Sequence, residues 1–559
     1  MSPLRQATEA AAARILAWRQ LHAMGVRDQE AECVLDWAGP VAAPLVDETT
    51  VQAACGIAHV HGRRFGRPTL LNVDYATVVA GVLATQGVLA MLVARRRGLS
   101  LRRVETSVAQ AALLSVSQYL AASTTADDWA EPLLPGGPPF VSADGARFEL
   151  ETFEAERWHR FWTVLAADPA AVRAGWRPFQ HRYATATCPL PEPLFRAANG
   201  VSLGAIEAAA DLAGVSVLRL SPAERSLADL PPWQLTPLGP ADRSARPVAR
   251  LAPLDGLVVI EAGRRLQGPL AGHLLRLLGA TVIRVEPPGG DLLRGMPPMA
   301  GDTSARFRAI NDGKQVVRLD LHSPAGRDGL LALAAGADVF LHNWAPGKAA
   351  QLRLDAEDLV RVKPGLVYAW ASGWGAELGA RPPLGTDFMV QAYSGLAAEV
   401  RPPREPATTS LMTLTDILGG LVCAQGVLAG LLARFREGRG RRVDSSLLSA
   451  AAVLRRLPRT PRREPLSTVD GWLAVSADPQ HGPAAARAFE LPHPPGYAQL
   501  VLRCARRPTA FWLDRLAALG VPATAVCTDL ATLSGDPRFE QVLRQADGYL
   551  APTAPWTFT

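Results

Sequence analysis

The second half of the chain alternates between short apolar runs and amphipathic stretches, a pattern that predicts strands followed by helices. Residues 257–260 (LVVI) and 281–285 (TVIRV) are apolar runs typical of buried parallel strands. Between them a helical pattern begins at Gly268 and ends at Gly279. Further strands are predicted at residues 316–319, 338–341 and 366–370. This alternation predicts an α/β fold whose open parallel sheet is covered by helices on both faces.

Two proline-rich segments interrupt the pattern, at residues 132–139 and 230–253. The second segment has neither a helical nor a strand period, which predicts a linker. A chain of 559 residues is also too long for one hydrophobic core. We therefore expect one domain over residues 1–229, a linker over residues 230–253, and a second domain over residues 254–559.

An internal repeat relates the two halves. Residues 51–58 match residues 390–397, and residues 81–112 match residues 420–451, both at an offset of 339. In the longer match 16 of 32 positions are identical, including glutamine, arginine and serine positions that alanine-rich composition does not explain. The repeat predicts a partial duplication of one helical module. At this offset Asp416 of the second copy is aligned with Thr77 of the first.

Composition and charge exclude several classes of function. The net charge is +6, but lysine occurs only three times, and the arginines are spread among acidic residues rather than clustered. This distribution argues against a nucleic-acid interface. The six cysteines include no pair at CxxC spacing, which argues against a disulfide framework or a metal site. No uninterrupted apolar run is long enough for a membrane span, and residues 1–20 lack signal-peptide order, so we expect a cytoplasmic protein.

Segments that follow predicted strands carry residues suited to a phosphate-bearing ligand. Gly268 and Pro269 begin a helix, whose free backbone N–H groups are a common phosphate site. Arg294 follows a sharp turn at residues 287–291 (PPGGD) and is a candidate phosphate contact. Each feature also has a structural explanation: a plain helix start, or a solvated arginine. His342, after another strand, is interpreted as a hydrogen-bonded structural histidine.

Asp416 precedes an apolar helix that contains Gly419 and Gly420. An aspartate at this position commonly caps the helix by accepting a backbone N–H. A helix N-terminus also stabilises a reactive carboxylate and a negatively charged intermediate beside it. The glycines would allow a thioester to approach the backbone closely. The sequence pattern alone leaves the capping role and the catalytic role both open.

Residues 254–448 resemble the family III CoA-transferases, also called the CaiB/BaiF type. The resemblance rests on ordered motifs, which are LDGLVVIEAG (254–263), QGPLAGHLLRLLGATVIRVEPPGGD (267–291), NDGK (311–314), GADVFLHNWAPG (336–347), SGWG (372–375), GTDFMVQAYSGL (385–396) and TDILGGLVCAQGVLAGLLARFREGRGRRVDSSL (415–447). The first half shares only the repeated helical module. The resemblance implies a Rossmann-like sheet with a smaller, helix-rich domain.

The resemblance also implies roles for individual residues. Asp416 falls on the catalytic aspartate of the family, and the backbone N–H groups of Gly419 and Gly420 are candidates for stabilising oxyanions. The implied CoA contacts are Gln267, Gly268, Pro269, Arg294, Asn343 and Lys348. The segment from His342 to Lys348 departs from the family pattern, which usually has Glu-Asn-Phe followed by an arginine.

The activity implied by the resemblance is transfer of CoA from an acyl-CoA to a carboxylic acid through an acyl-aspartyl anhydride and an aspartyl-CoA thioester. CoA enters as a thioester substrate, and no bound cofactor or metal is expected. Related transferases form interlocked dimers. The duplicated module therefore suggests either a pseudo-dimer within one chain or a homodimer.

Three alternatives to transfer remain at this stage. Related racemases pair the aspartate with a histidine in a Gly-His-Asp motif, whereas this chain has Gly385-Thr386-Asp387, which disfavours racemisation. A lyase or hydrolase acting through Asp416 is the second alternative. The third is a non-catalytic CoA-binding protein, because residues 454–465 (LRRLPRTPRREP) replace the glycine-rich loop that transferases use to cover the intermediate.

Overall fold

The computed structural model describes residues 10–127, 129, 133–223, 225–227, 229–241, 252–379, 381–457, 462–492 and 494–559. Its helices are α1 Ala11–Ala23, α2 Glu48–Ala54, α3 Ile57–Gly62, α4 Tyr75–Arg96, α5 Val108–Ser115, α6 Ser117–Ser123, α7 Ala155–Val164, α8 Pro169–Thr185, α9 Glu192–Asn199, α10 Leu203–Ala213, α11 Gln267–Leu277, α12 Ala305–Asn311, α13 Pro324–Gly336, α14 Lys348–Leu352, α15 Ala356–Val362, α16 Asp387–Ser394, α17 Leu396–Glu399, α18 Leu414–Glu437, α19 Leu447–Leu454, α20 Gly482–Phe489, α21 Tyr497–Cys504 and α22 Thr509–Ala517.

The strands are β1 Glu32–Asp36, β2 Arg103–Ser107, β3 Phe140–Val141, β4 Arg147–Glu151, β5 Ser216–Arg219, β6 Trp233–Pro240, β7 Val258–Ala262, β8 Thr281–Glu286, β9 Met299–Ala300, β10 Thr303–Ser304, β11 Gln315–Arg318, β12 Val339–His342, β13 Val367–Ser372, β14 Arg439–Ser446, β15 Leu466–Ser467, β16 Trp472–Val475, β17 Ala523–Ala525, β18 Leu543–Ala546, β19 Tyr549–Pro552 and β20 Thr557–Phe558. Short 3-10 turns connect several of these elements.

The largest sheet has seven strands in the order β11-β8-β7-β12-β13-β14-β6, and its first six strands are parallel. Alternate residues of β12 enter different cores: Phe340 packs with Leu330 of α13, whereas Leu341 belongs to the core that includes Leu274 of α11. Helices therefore cover both faces, and the predicted α/β fold with an open parallel sheet is confirmed. The five strands predicted from apolar runs all occur, shifted by at most two residues at either end.

The prediction of an irregular linker over residues 230–253 is wrong for the first part of that segment. Strand β6 pairs antiparallel with β14 at the edge of the large sheet, with Trp233 opposite Ser445. Pro237 and Pro240 hid the strand in the sequence because proline has no N–H for a sheet ladder. An edge strand tolerates proline, since one of its sides pairs with no neighbour. Residues 242–251 lie outside the described residues.

The closing strands cross between the halves. Strand β6, from the amino-terminal side of the chain, ends the sheet of the second half, whereas β20 pairs antiparallel with β2 in the sheet β1-β2-β20 of the first half. The registers correspond: Val443 lies opposite Leu235, and Val104, which is 339 positions earlier than Val443, lies opposite Phe558. The sheet of the first half thus receives its last strand from the second half, and the sheet of the second half receives its last strand from the segment that joins the two.

Tryptophan packing repeats this exchange. A Cβ added to Gly426 of α18 would meet Val443 Cγ1 at 2.7 Å and the Trp233 side chain at 3.2 Å. A Cβ added to Gly87 of α4, the aligned glycine, would meet Val104 Cγ2 at 2.7 Å and the Trp556 side chain at 3.0 Å. The two glycines are therefore required for the same close contact between helix, sheet and closing strand.

Two small antiparallel sheets, β3-β4-β5 and β15-β16-β17, lie outside the large sheet. In each sheet, an aspartate in the turn between the first two strands accepts a hydrogen bond from a backbone N–H at the start of a helix. Asp144 accepts a hydrogen bond from Leu203 N at the start of α10, and Asp470 accepts one from Thr509 N at the start of α22. Helices pack on each of these sheets, α9 and α10 on the first and α21 and α22 on the second.

Helices α4 and α18 form the centre of the molecule and pack against each other. The Tyr75 hydroxyl donates to the Leu414 carbonyl at 3.1 Å, and Gln86 Nε2 donates to the Leu421 carbonyl at 2.6 Å. By length and composition both helices are apolar enough to span a membrane. Their most apolar windows are 100% and 89% buried by the surrounding protein, which is the environment of a core helix.

Candidate active site

A cavity of about 980 Å³ lies at the carboxyl ends of the parallel strands. Its walls come from the loops that follow β7, β8, β11, β12 and β13, together with the start of α18. In open α/β sheets, ligands bind in this crevice outside the carboxyl ends of the strands. The lining includes Asp416 and the predicted contacts Gln267, Asn343 and Lys348.

Asp416 is the third residue of α18 and does not cap it. The cap is Asp387, whose Oδ1 accepts from the backbone N–H groups of Thr415 at 2.5 Å and of Asp416 at 3.0 Å. The Thr415 hydroxyl donates to the same oxygen at 2.7 Å. Of the two roles left open by the sequence pattern, the capping role is therefore contradicted for Asp416. Because Asp387 satisfies the helix terminus, the Asp416 carboxyl is left to face the cavity.

Burial raises the pKa of Asp416 well above its usual range. The negative charge of Asp387 raises this pKa further, the positive charge of Arg265 lowers it, and Glu151 raises it. Burial also raises the pKa of Asp387. The hydrogen bonds that Asp387 accepts from Thr415 and other donors oppose this effect and lower its pKa. The Asp416 carboxyl therefore loses its proton less readily than a free aspartate, and Arg265 is a cation that favours its ionised form.

The first half supplies a polar network beside Asp416. Glu151 at the end of β4 is fully buried and accepts from Arg182 Nη2 at 3.0 Å and from the Tyr183 hydroxyl. It also accepts from the Thr386 hydroxyl at 2.8 Å. Thr386 occupies the position of the histidine in the racemase motif, and its hydroxyl is committed to Glu151. No proton-transfer group therefore stands at that position.

Arg265 lies in the loop between β7 and α11. Its guanidinium stacks on the Phe153 ring, with Cζ 3.6 Å from the ring centroid, and lies 5.9 Å from the centroid of Tyr183. Both rings belong to the first half. The backbone of Arg265 is left-handed, with φ 62°, which is unfavourable for a residue with a Cβ. The side chain of Arg265 lines the cavity together with Asp416.

The start of α11 is held close to α18. Gln267 Nε2 donates to the Ser372 carbonyl at 3.2 Å, and Gln267 lines the cavity. A Cβ on Gly268 would meet the Asn343 side chain at 3.2 Å, which is a tight contact, so a larger residue would have to displace Asn343. The Pro269 carbonyl accepts from Lys314 Nζ at 2.8 Å. Gly268 and Pro269 themselves are buried and are not among the described residues that line either large cavity.

Lys314 of the NDGK motif is structural. Its fully buried ammonium donates to Glu261 Oε2 at 2.6 Å and to Asn311 Oδ1 at 2.8 Å. Burial lowers its pKa to about 8, an effect that Glu261 opposes. The lysine therefore ties β7, α11 and α12 together beneath the site.

Arg294 pairs with a buried glutamate at the end of β8. Its guanidinium pairs with Glu286, with Nη2 2.8 Å from Oε1 and Nε 2.9 Å from Oε2, and lies over the Phe307 ring. It is not among the described residues that line either large cavity. A bidentate pair with a buried carboxylate satisfies Arg294 locally, and its role as a CoA contact stays a prediction.

Asn343 and Lys348 both line the main cavity, but only Lys348 presents a charge to it. Asn343 Oδ1 accepts from Arg264 N at 2.9 Å, and its Nδ2 donates to the Arg264 carbonyl at 2.8 Å, so it fixes the loop that carries Arg265. His342 is buried and bonds the Tyr368 hydroxyl at 2.7 Å. Burial lowers its pKa to about 3, which confirms a neutral structural histidine.

Gly419 and Gly420 lie inside α18, where backbone N–H groups bond the carbonyls four residues earlier. A Cβ on Gly419 would meet Leu447 at 2.8 Å, and one on Gly420 would meet the Gln267 carbonyl at 2.8 Å. These glycines allow α11 to approach α18. The structure therefore contradicts their assignment as oxyanion donors, because their N–H groups already have acceptors within the helix.

A second cavity, of about 690 Å³, meets the first at Asp416. The residues that line both cavities are Tyr183, Arg264, Arg265, Pro287, Asp291 and Asp416. Elsewhere the second cavity is mainly apolar, with walls that include Leu266, Leu293, Met296, Phe307 and Ile310. Asp416 is thus accessible from two chambers.

In the first half, the position aligned with Asp416 has a similar hydrogen-bonded helix start but no carboxyl group. Glu48, which is 339 positions before Asp387, accepts from the backbone N–H groups of Ala76 and Thr77, each at 2.8 Å. Thr77 stands where the second half has Asp416, and its hydroxyl donates to Glu48 at 2.5 Å. Arg462 pairs with Asp74 nearby. In the segment 454–465, which replaces the glycine-rich covering loop of transferases, residues 458–461 lie outside the described residues. Arg462 of the same segment donates to the Leu71 carbonyl of the first half at 2.6 Å.

Comparison with known proteins decides the family. Residues 37–229 and 254–458 match the family model described as CoA-transferase family III, which together is more than half of the chain. The chain belongs to CoA-transferase family III. The family match covers residues 37–229, so the first half shares more with the family than the repeated helical module that its sequence alone revealed.

Among its relatives, the chain is 36% identical over 203 residues to "Acetyl-CoA:oxalate CoA-transferase" of Acetobacter aceti, covering 36% of this chain and 52% of the relative. It is 34% identical over 202 residues to "Succinyl-CoA:glutarate CoA-transferase" of Mus musculus, covering 36% and 46%. The chain spans about half the length of the curated relatives it matches. A crystal structure of a CAIB/BAIF family protein from Brucella suis is 27% identical and covers 55% of this chain and 92% of its own, with a TM-score of 0.49.

Sequence reasoning missed the residues that this family III chain contributes to the site from its first half. Phe153, Tyr183 and Glu151 lie in a region without the family motifs quoted above, and only the fold brings them to Asp416. Arg265 lies between two recognised motifs, LDGLVVIEAG and QGPLAG. The sequence signal that could have identified Arg265 was its position just before the predicted start of α11.

Proposed function

We propose that the chain is a CoA-transferase that moves CoA from an acyl-CoA donor to a carboxylic acid, with Asp416 as the acyl-accepting group. The observation that carries this proposal is the placement of the Asp416 carboxyl. It lies at a helix N-terminus whose cap is supplied by another residue, and it faces two cavities that meet at this residue. Family membership and the named relatives support the reaction class.

The proposed cycle uses the Asp416 carboxylate as a nucleophile. It attacks the donor thioester carbonyl, the C–S bond breaks, and an acyl-aspartyl anhydride and CoA thiolate form. The thiolate then attacks the Asp416 carbonyl of the anhydride, which releases the donor acid and leaves an aspartyl-CoA thioester. The acceptor carboxylate attacks this thioester and expels the thiolate. Attack of the thiolate on the acceptor carbonyl yields the new acyl-CoA and restores the carboxylate.

The two cavities suit the two parts of an acyl-CoA. The larger one opens at the strand ends beside Lys348 and Arg381, which provide positive charge for the phosphates of CoA. The smaller and more apolar one, on the other side of Asp416, has room for the acyl group. We propose Gln267 and Lys348 as CoA contacts and Asn343 as the residue that orders the adjoining loop.

We further infer that the chain arose by duplication and works as a pseudo-dimer with one active site. Matching contacts at Glu48 and Asp387, the paired tryptophan contacts, and the exchanged closing strands support this inference. Thr77 cannot form the anhydride that the proposed cycle requires. We therefore expect one CoA adduct per chain and a solution mass of one chain.

The test of function is to incubate the protein with acetyl-CoA, succinyl-CoA or octanoyl-CoA, quench it, and locate CoA and acyl adducts by mass spectrometry. We expect one adduct, on Asp416, which hydroxylamine removes. Asp416→Ala should lose the adduct and the transfer, whereas Thr77→Ala, the aligned control, should keep both. Adducts elsewhere, or transfer that survives Asp416→Ala, would contradict the proposal.

A further inference from the structure

The proposed transfer needs a group that binds the free carboxylic acid. This acid is a carboxylate both when it leaves and when it enters, and it has to lie next to Asp416, which is also a carboxyl. Two carboxylates brought together repel each other, and burial strengthens the repulsion. A cation between the two cavities would offset that repulsion.

Arg265 meets this requirement. It lines both cavities together with Asp416, and its charge lowers the pKa of that carboxyl. Among the described residues, no carboxylate lies within ion-pair distance of Arg265, in contrast to Arg284 and Arg294 near the same cavity. Its side chain is exposed rather than buried in the wall, so its guanidinium N–H groups are accessible to a ligand.

Neighbouring residues fix the Arg265 guanidinium and its loop in a position suited to binding an anion. The Phe153 ring supports one face of the guanidinium at 3.6 Å, which leaves the in-plane N–H edge for an anion. Asn343 clamps both backbone groups of the preceding residue, Arg264. The left-handed backbone at Arg265 is of the kind that persists at functional sites, where neighbouring structure imposes it.

We propose that Arg265 binds the carboxylate of the acid that leaves or enters, on an aromatic platform that the first half supplies. This inference rests on the proposed function and adds a residue and a ligand class to it. A guanidinium binds a carboxylate through two parallel N–H···O bonds, so the same contact serves any acid. It also gives the first half a role at the active site despite the loss of its own carboxyl.

The experiment compares Arg265→Asn, Arg265→Lys and the control Arg353→Asn. Asparagine accommodates a left-handed backbone, so Arg265→Asn removes the charge without adding strain. Arg353 is also an exposed arginine with a left-handed backbone, φ 56°, and it lines neither large cavity. Donors are acetyl-CoA and succinyl-CoA, and acceptors are ¹³C-labelled acetate, oxalate, glutarate and hexanoate.

We expect the KM for the acid to rise by roughly tenfold or more in Arg265→Asn, while the KM for the acyl-CoA changes by less than about threefold. Arg265→Lys should recover part of the loss, and Arg353→Asn should behave as wild type. If both KM values rise together, or if Arg265→Asn matches the control, the inference is wrong. A wild-type chain that forms no adduct on Asp416 with either donor contradicts the proposed function itself.

Discussion

At the scale of single residues, the site depends on a division of labour between two aspartates. Asp387 satisfies the start of α18 by accepting from Thr415 and Asp416, and this leaves the Asp416 carboxyl available for chemistry. The cost is a half-buried carboxyl that lies next to a second negative charge, Asp387. Burial and Asp387 together raise the pKa of Asp416, so the reactive form is disfavoured at rest.

Asp416→Asn should therefore stabilise the protein while it abolishes transfer. A carboxyl whose pKa is raised in the folded state keeps its proton there, whereas the unfolded chain ionises it above its usual value of 3.8. The group thus weakens the fold as the pH rises through that region. We expect a gain on the order of 1 kcal/mol at pH 7 and none at pH 3. Denaturant unfolding at both pH values measures it, and an equal gain at pH 3 would contradict this explanation.

Asp387→Asn should move the acid limb of the pH–rate profile to lower pH. The amide keeps an Oδ1 acceptor for the α18 N–H groups but removes the negative charge that raises the pKa of Asp416. The acylation rate at limiting acyl-CoA, measured from pH 4 to 9, reports the shift. Glu48→Gln makes the same change at the aligned cap of the first half and should leave the limb in place. An acid limb that moves upward would refute the assignment.

At the scale of elements, the close approach of helix, sheet and closing strand depends on a glycine in each central helix. Gly426→Ala should destabilise the protein by about 1–3 kcal/mol, because the new methyl group overlaps Val443 and Trp233 in a packed core. Gly87→Ala should have a similar effect through Val104 and Trp556. Gly204→Ala, in an open helical position of α10, should be neutral or stabilising. Urea unfolding of the three variants makes the comparison.

Much of the second half could be predicted from the sequence because its signals are local. Apolar runs predicted β7, β8, β11, β12 and β13, and ordered motifs pointed to Asp416. What failed depended on distant partners. Strand β6 exists because β14, which is far along the chain, offers it an edge. Phe153 and Tyr183 reach the site through tertiary packing. Periodicity and motif spacing are local patterns and do not predict such contacts.

At the scale of the whole molecule, side chains near the end of the chain pack into the core of the first half and hold the two halves together. The Trp556 indole N–H donates to the Leu83 carbonyl at 2.8 Å, in the core between β20 and α4. Trp556→Ala should destabilise the chain by about 3 kcal/mol through the cavity it leaves and the carbonyl it exposes. Calorimetry should show a lower Tm for the protein. Loss of one melting step with the other unchanged would mean that the halves are independent.

The crossed closing strands also bear on how the protein is made. The edge of β2 emerges from the ribosome early, but its partner β20 is separated from it by almost the whole length of the chain. Until residues 557–558 have been synthesised, that edge stays unpaired, and an unpaired edge is a template for association with other chains. Nascent chains are therefore expected to depend on chaperones, and overexpression at low temperature should raise the soluble yield.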